Sequence, residues 1–129
     1  KQKREICQIS VNLSRASLEI PGLVSVLTSI IDRHNISRSF IQVEFTESAC
    51  DTNIELQDLV KGLADEEISV AVDDFGTGYS SLSLLKDLPW DMLKIDRTFL
   101  RGATEKGSRD QLMFKSIINL AKFQFLLAC

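Results

Sequence analysis

Segments with the patterns of strands and of helices alternate along the chain. Four short segments, most of them alternating apolar and polar side chains, predict strands. They are residues 9–14, 41–47, 68–72 and 92–96. Apolar residues at helical spacing predict the helices that follow each strand. These are about 21–34, 53–66, 80–87 and 112–121. Strands separated by helices at near-regular intervals predict right-handed βαβ units, a parallel sheet and a single domain.

Three of the four predicted strands have one polar face. A parallel strand covered by helices on both faces is usually apolar throughout. In an α/β barrel the helices cover only the outside, and ligand-binding groups gather where the strands end. The pattern therefore favours an α/β fold, a partial (β/α)₈ TIM-type barrel of about four consecutive βα units. The 129 residues are about half of the roughly 250 that a whole barrel needs.

Two adjacent aspartates, Asp73 and Asp74, come directly after the most apolar of these strands. Two glycines, Gly76 and Gly78, and several hydroxyls follow them. Adjacent carboxylates repel each other, and a bound cation is one reason for a chain to keep both. A solvated acidic turn is the alternative, and this segment alone leaves both interpretations open.

Strand parity extends the candidate site to the neighbouring strands. Because side chains alternate between the two faces of a strand, Asn12, Glu44, Asp73 and Lys94 are expected to point inward near one rim. Carboxylate and amide oxygens suit a hard ion such as Mg²⁺ or Mn²⁺, and Asp74 could reach a second ion. Oxygen ligands beside a lysine match metal-assisted phosphoryl chemistry. Taken singly, Asn12 as a turn-forming strand end and Lys94 as a surface lysine remain the alternatives.

Composition excludes several classes of partner. The formal net charge is -3, and the only basic run is at residues 1–4, so duplex nucleic acid is not an expected ligand. No apolar run approaches the roughly 18 residues of a membrane span, so we expect no membrane contact from this segment. Three cysteines without a C-x-x-C pair suit a reducing cytoplasm. Any membrane anchor is expected in other domains of a longer protein.

Four short motifs occur in a specific order along the chain. They are SVNLS at 10–14, EFTES at 44–48, DDFGTGYSSL at 73–82, and LP at 88–89 followed by LKID at 93–96. Together they resemble the EAL-domain family of cyclic-di-GMP phosphodiesterases over about residues 9–123, so that residues 1–129 are identified as a partial EAL domain. The resemblance implies a modified (β/α)₈ barrel that binds cyclic di-GMP and uses Mg²⁺ or Mn²⁺ to hydrolyse it to linear pGpG.

The resemblance also implies roles for individual residues. Four of them are metal ligands, three for a first ion and one for a second: Asn12, Glu44 and Asp73, then Asp74. Lys94 and Asp74 are the implied catalytic residues, with Lys94 positioning water and phosphate. Glu47 is the implied brace for the loop after the two aspartates, and that loop, about 75–85, couples the site to dimerisation in the family. No residue is assigned to binding the rest of the substrate.

Two elements of the family pattern are missing from the chain. The Glu-Ala-Leu motif, which supplies another metal ligand, would lie upstream of Lys1, and a later strand would carry the glutamate of the general base. The tail 123–129 occupies the place of that strand and is not predicted to be one. We therefore expect an isolated chain with weak or no catalysis. We also expect a homodimer or self-association, because a half-barrel leaves two open sheet edges and an apolar inner rim.

Two functions other than a phosphodiesterase also fit part of this pattern. The first is a non-catalytic EAL-type module that binds cyclic di-GMP or regulates a partner, and it stays open. The second is a receiver domain, which also combines an acid pair with a lysine. Its acid pair lies near the start of the chain, whereas here it comes at 73–74, so we exclude it.

Overall fold

A parallel sheet of five strands runs through the described part of the chain. The computed structural model describes residues 7–50, 54–76, 85, 87–104, 106–124 and 126–128. The strands are β1 (Ile9–Leu13), β2 (Ile41–Thr46), β3 (Ser69–Phe75), β4 (Met92–Ile95) and β5 (Leu126–Ala128). They lie in the order β1-β2-β3-β4-β5, and each pairs in parallel with the next. The predicted α/β fold with consecutive βα units is confirmed.

In the described part of the chain, helices lie between β1 and β2, between β2 and β3, and between β4 and β5. The α-helices are α1 (Leu23–Arg33), α2 (Ile54–Asp65), α3 (Arg97–Ala103) and α4 (Arg109–Gln124). Short 3₁₀ helices cover Arg15–Glu19, Arg38–Phe40 and Glu47–Cys50. The predicted helices 21–34 and 53–66 agree with α1 and α2 to within two residues at each end. The predicted helix 80–87 falls largely outside the described residues.

The structure corrects the sequence predictions at two places after β4. No helix was predicted over 97–103, where α3 lies, and its first turn is capped by the Asp96 side chain, which accepts from the Thr98 backbone N–H at 2.8 Å. The tail, predicted not to form a strand, contains β5, which pairs with β4 from Met92 opposite Leu126. The edge of β4 would otherwise present unpaired backbone groups, and a short apolar segment satisfies them. β5 contains no glutamate.

Apolar residues of the central strands pack on one face of the sheet against the helices. Val43, Phe45, Val70 and Val72 are almost fully buried there with residues of α2. The α2 residues in this core recur at helical spacing and are Leu56, Leu59, Val60 and Leu63. Trp90, just before β4, contacts Phe45 edge to face with ring centroids 6.1 Å apart. This core fixes the strands whose ends carry the site.

On β1, β2 and β3 the opposite face carries mainly polar side chains, which corrects the expected apolar inner rim there. Gln42 is buried there, accepts from the Ser10 hydroxyl at 3.3 Å and donates to the Ser69 hydroxyl at 3.2 Å. The register places these three residues side by side on β1, β2 and β3. A hydrogen-bonded polar row therefore replaces apolar packing, since a buried amide needs partners for its donor and acceptor atoms.

Apolar side chains are exposed on the edge strand β1 and on helix α4. Ile9 and Val11 on β1 are 62% and 38% exposed, although their register partners on β2 are covered. Leu112 and Met113 on α4 are 62% and 55% exposed. None of the helices described is long and apolar enough to span a membrane.

Candidate functional site

Polar side chains from neighbouring strands share the face opposite the helices. Asn12 on β1 lies opposite Glu44 on β2, and Asp73 on β3 lies opposite Thr46 on β2. Residues opposite each other in a parallel pair point to the same side of the sheet. The structure thus places Asn12, Glu44 and Asp73 on one face near the carboxyl ends of their strands, as parity predicted.

An ion pair crosses β3 and joins its two neighbours. The Lys94 ammonium group on β4 donates a hydrogen bond to Glu44 Oε1 on β2. Glu44 is only 4% exposed, while the side chain of Lys94 is 28% exposed. A carboxylate this deeply buried needs a charged partner, because its desolvation is costly. Lys94 is therefore part of the cluster, and its interpretation as a strand-end surface lysine is wrong.

A β-bulge explains how adjacent aspartates both reach the site. In a regular strand two consecutive side chains point to opposite faces. The pairing of β3 with β4 shifts between Val72 and Phe75, both of which are buried in the helix-side core. The shift leaves Asp73 and Asp74 together between them. Asp74 has φ +55°, and its backbone N–H donates to Asp73 Oδ1 at 2.9 Å. A bulge commonly redirects side chains beside active sites.

Negative charge is concentrated around Asp74. Although this side chain is largely exposed, partial desolvation raises the pKa of Asp74, and the charges of Asp73, Asp96 and Glu44 raise it further. Asp96 was not predicted as a site residue, although it ends the same LKID motif as Lys94. Its backbone N–H donates to the Phe75 carbonyl at 3.0 Å, which holds the end of β4 beside the bulge. Hydrogen bonds from Thr98 lower the pKa of Asp96.

Glu47 is placed where a brace for the acidic loop would lie. It is buried just after β2, and its Oε2 accepts from the Gly76 backbone N–H at 3.0 Å. Gly76 has φ +101°, a conformation that strongly favours glycine. The contact fixes the chain immediately after the two aspartates. Most of the predicted loop 75–85 lies outside the described residues.

The donor set fits a hard divalent cation. Glu44, Asp73 and Asp74 offer carboxylate oxygens, and Asn12 offers an amide oxygen. A bound cation would reduce the repulsion between these carboxylates. In the described part of the chain, however, no three side chains of His, Cys, Asp or Glu are grouped closely enough to hold a metal ion. Glu44 is engaged by Lys94 instead.

Asp74→Asn is expected to raise the melting temperature of the metal-free chain at neutral pH. The change removes one crowded charge and keeps a side chain that tolerates positive φ. Because the folded-state pKa is raised, the ionised carboxylate destabilises the fold above that pKa. This effect vanishes as the pH falls from the raised pKa to the ordinary value of 3.8. The gain should therefore shrink in melts taken from neutral pH to about pH 4.

The matched control for this change is Asp58→Asn, an exposed position on α2. We expect it to alter the melting temperature little at any pH. A variant at Asp74 that melts below the wild type at neutral pH would show that the charge there is favourable to the fold.

Comparison with known proteins assigns the chain to a family. The family model for the EAL domain matches residues 1–126. The chain belongs to the EAL domain family. Its motifs and its sheet agree with this assignment, and the partial TIM-type barrel is the portion of the EAL fold that the described residues form.

Several of the related proteins and solved structures carry names that refer to cyclic di-GMP. It is 34% identical over 119 residues to the cyclic di-GMP phosphodiesterase NbdA of Pseudomonas aeruginosa, covering 92% of this chain and 15% of NbdA. Against the PaMucR phosphodiesterase in complex with c-di-GMP, the TM-score is 0.80 at 32% identity, covering 93% and 55% of the chains. Against the calcium and cyclic-di-GMP complex of Klebsiella pneumoniae BlrP1, it is 0.82 at 27% identity, covering 93% and 31%. The chain thus spans less than one fifth of NbdA.

Proposed function

We propose that this EAL domain supplies the central part of a metal-dependent site that hydrolyses cyclic di-GMP to pGpG. The observation that carries the proposal is the cluster of Glu44, Asp73, Asp74 and Lys94 on one face at the ends of adjacent strands. Cyclic-di-GMP hydrolysis is the activity named for NbdA, and PaMucR is a phosphodiesterase that holds c-di-GMP. We also propose that the domain acts in the cytoplasm, a location that its three cysteines without a C-x-x-C pair suit.

Each residue of the cluster has a proposed task. Asn12, Glu44 and Asp73 would hold one Mg²⁺ or Mn²⁺ ion, and Asp74 would contribute to a second. A bound ion of this kind supplies an acidified water and neutralises phosphate charge. Lys94 donates to a phosphoryl oxygen and orients the attacked phosphate, for which its ammonium group must leave Glu44. Glu47 keeps the two aspartates in place through the Gly76 backbone.

One observation favours a second candidate function, a non-catalytic module that binds cyclic di-GMP or regulates a partner. Glu44 cannot offer the same oxygen to a cation while the Lys94 ammonium group occupies it. A site in which this ion pair persists binds the nucleotide by hydrogen bonds and charge without turning it over. The two functions predict different responses to metal.

Titration calorimetry of the chain with cyclic di-GMP, with and without Mn²⁺, tests the proposal. We expect Mn²⁺ to strengthen binding at least tenfold, since metal ions offset repulsion between carboxylates and phosphate. Asp73→Asn should abolish this gain, and Asp58→Asn on α2 should keep it. Chromatography of the same samples should show little pGpG. Sedimentation should show self-association, which the exposed Ile9 and Val11 on β1 support.

Each readout has a contrary result. Binding that ignores both Mn²⁺ and Asp73→Asn favours the non-catalytic module, and no binding under any condition contradicts both functions. Rapid formation of pGpG that Asp73→Asn abolishes would contradict the expected weakness of the isolated chain.

A further inference from the structure

A cavity of about 450 Å³ lies between the carboxyl ends of β1 and β2. Its volume falls within the range of small-molecule sites, about 300–1,000 Å³. Leu13 and Ala49, both nearly buried, are its apolar lining. Asn12 also lines it, and Asn12 lies directly opposite Glu44. The cavity therefore shares Asn12 with the proposed metal-ligand set.

Hydroxyl groups line the cavity from both strands. Ser14 directly follows β1, and Thr46 is the last residue of β2. Ser48 lies in the 3₁₀ helix after β2. The hydroxyls of Thr46 and Ser48 are 3.2 Å apart, as are those of Ser14 and Ser17. Serine and threonine hydroxyls rotate to donate or accept as a ligand requires. This lining has the hydrogen-bonding capacity for a phosphate or a sugar.

Arg15 gives the cavity a positive charge. Among the residues that line it, Arg15 is the charged one, and no carboxylate in the described part of the chain forms an ion pair with it. An exposed guanidinium beside hydroxyls can bind phosphate through two parallel hydrogen bonds. The rim thus carries both signs of charge: the carboxylates lie on β2 and β3, and Arg15 lies in the 3₁₀ helix that follows β1.

We propose that this cavity binds the uncleaved phosphate of a cyclic dinucleotide, with Arg15 as its cationic contact. The inference rests on the proposed function, because it assumes that the other phosphate of the ring lies at the acidic cluster. A cyclic dinucleotide carries two phosphates, and a site that neutralises only one leaves the second charge facing carboxylates. Arg15 offsets that repulsion, so it sets affinity and orientation while taking no part in bond cleavage.

Binding of cyclic di-GMP by Arg15 variants of the chain, measured by calorimetry in Mn²⁺, tests the inference. Arg15→Ala should raise Kd about tenfold, the loss expected for one charge-assisted contact at a partly exposed site. Arg15→Lys should lose less, because it keeps the charge and loses only the paired geometry. The matched control is Arg33→Ala, at the exposed end of α1 that leads into β2 from the opposite end of the sheet. It should leave Kd unchanged.

The outcomes separate this inference from the function on which it rests. If the wild type binds and Arg15→Ala binds equally well, the phosphate subsite is overturned while the proposed function stands. If the wild type binds no cyclic di-GMP, both are overturned. Equal losses in Arg15→Ala and Arg33→Ala would also overturn the subsite, because they would show a general effect of net charge.

Discussion

Lys94→Met is expected to lower the free energy of unfolding of the metal-free chain by about 2–4 kcal/mol. The change removes the partner of Glu44, which is 4% exposed, and leaves a carboxylate that can neither be solvated nor paired. The partial exposure of Lys94, 28%, keeps the expected loss below that of a fully buried pair. Urea denaturation followed by circular dichroism measures it.

The double variant Glu44→Gln, Lys94→Met separates the ion pair from the packing of the lysine stem. Because the buried charge is gone, most of the lost stability should return. Mn²⁺ should also stabilise Lys94→Met more than it stabilises the wild type, since a cation can take the place of the ammonium group beside Glu44. If the single and double variants are equally unstable, the loss comes from packing and the ion pair is not what holds Glu44 in place.

Phe45→Ala is expected to cost about 3–5 kcal/mol and to leave little folded chain. Phe45 is 0% exposed, and its ring meets Trp90 edge to face at 6.1 Å, so truncation leaves a cavity in the middle of the core. Because Phe45 lies between Glu44 and Thr46 on β2, its anchoring also fixes two positions at the rim. Leu112→Ala, at a residue 62% exposed on α4, is the surface control and should change stability by less than about 0.5 kcal/mol.

Thermal and urea denaturation of both variants give the comparison. A Phe45→Ala chain that unfolds with nearly wild-type stability would mean that the Trp90 side of the core closes around the missing ring. A large loss at Leu112 would show that this exposed face is buried against another copy under the conditions of the measurement.

Alternation of side chains was enough to predict much of the site. It placed Asn12, Glu44 and Asp73 on one face, because two-residue periodicity is a local property of any strand. The ends of α1 and α2 were predicted closely for a similar reason, since apolar spacing follows the helical repeat. The metal and catalytic roles of these residues stay predictions.

Features that depend on a neighbouring strand were missed. β3 was predicted to end at Val72, but it continues to Phe75 through the bulge, whose register exists only in relation to β4. β5 was missed because its sequence has no strong strand pattern. It is defined by its pairing with β4. α3 was missed because it has only seven residues, although Asp96 at its start is a recognisable capping residue.

The strictly sequential order of the strands, β1 to β5, bears on how the fold assembles. Each strand after β1 pairs with the described strand that precedes it in the chain, so only the segment between two consecutive strands has to close before each pairing forms. The loop-closure entropy at each step is therefore small, and contacts stay local for a parallel sheet. During synthesis, each new strand can pair with the free edge of the sheet that has already formed. A half-barrel is therefore also an intermediate in the assembly of a whole barrel.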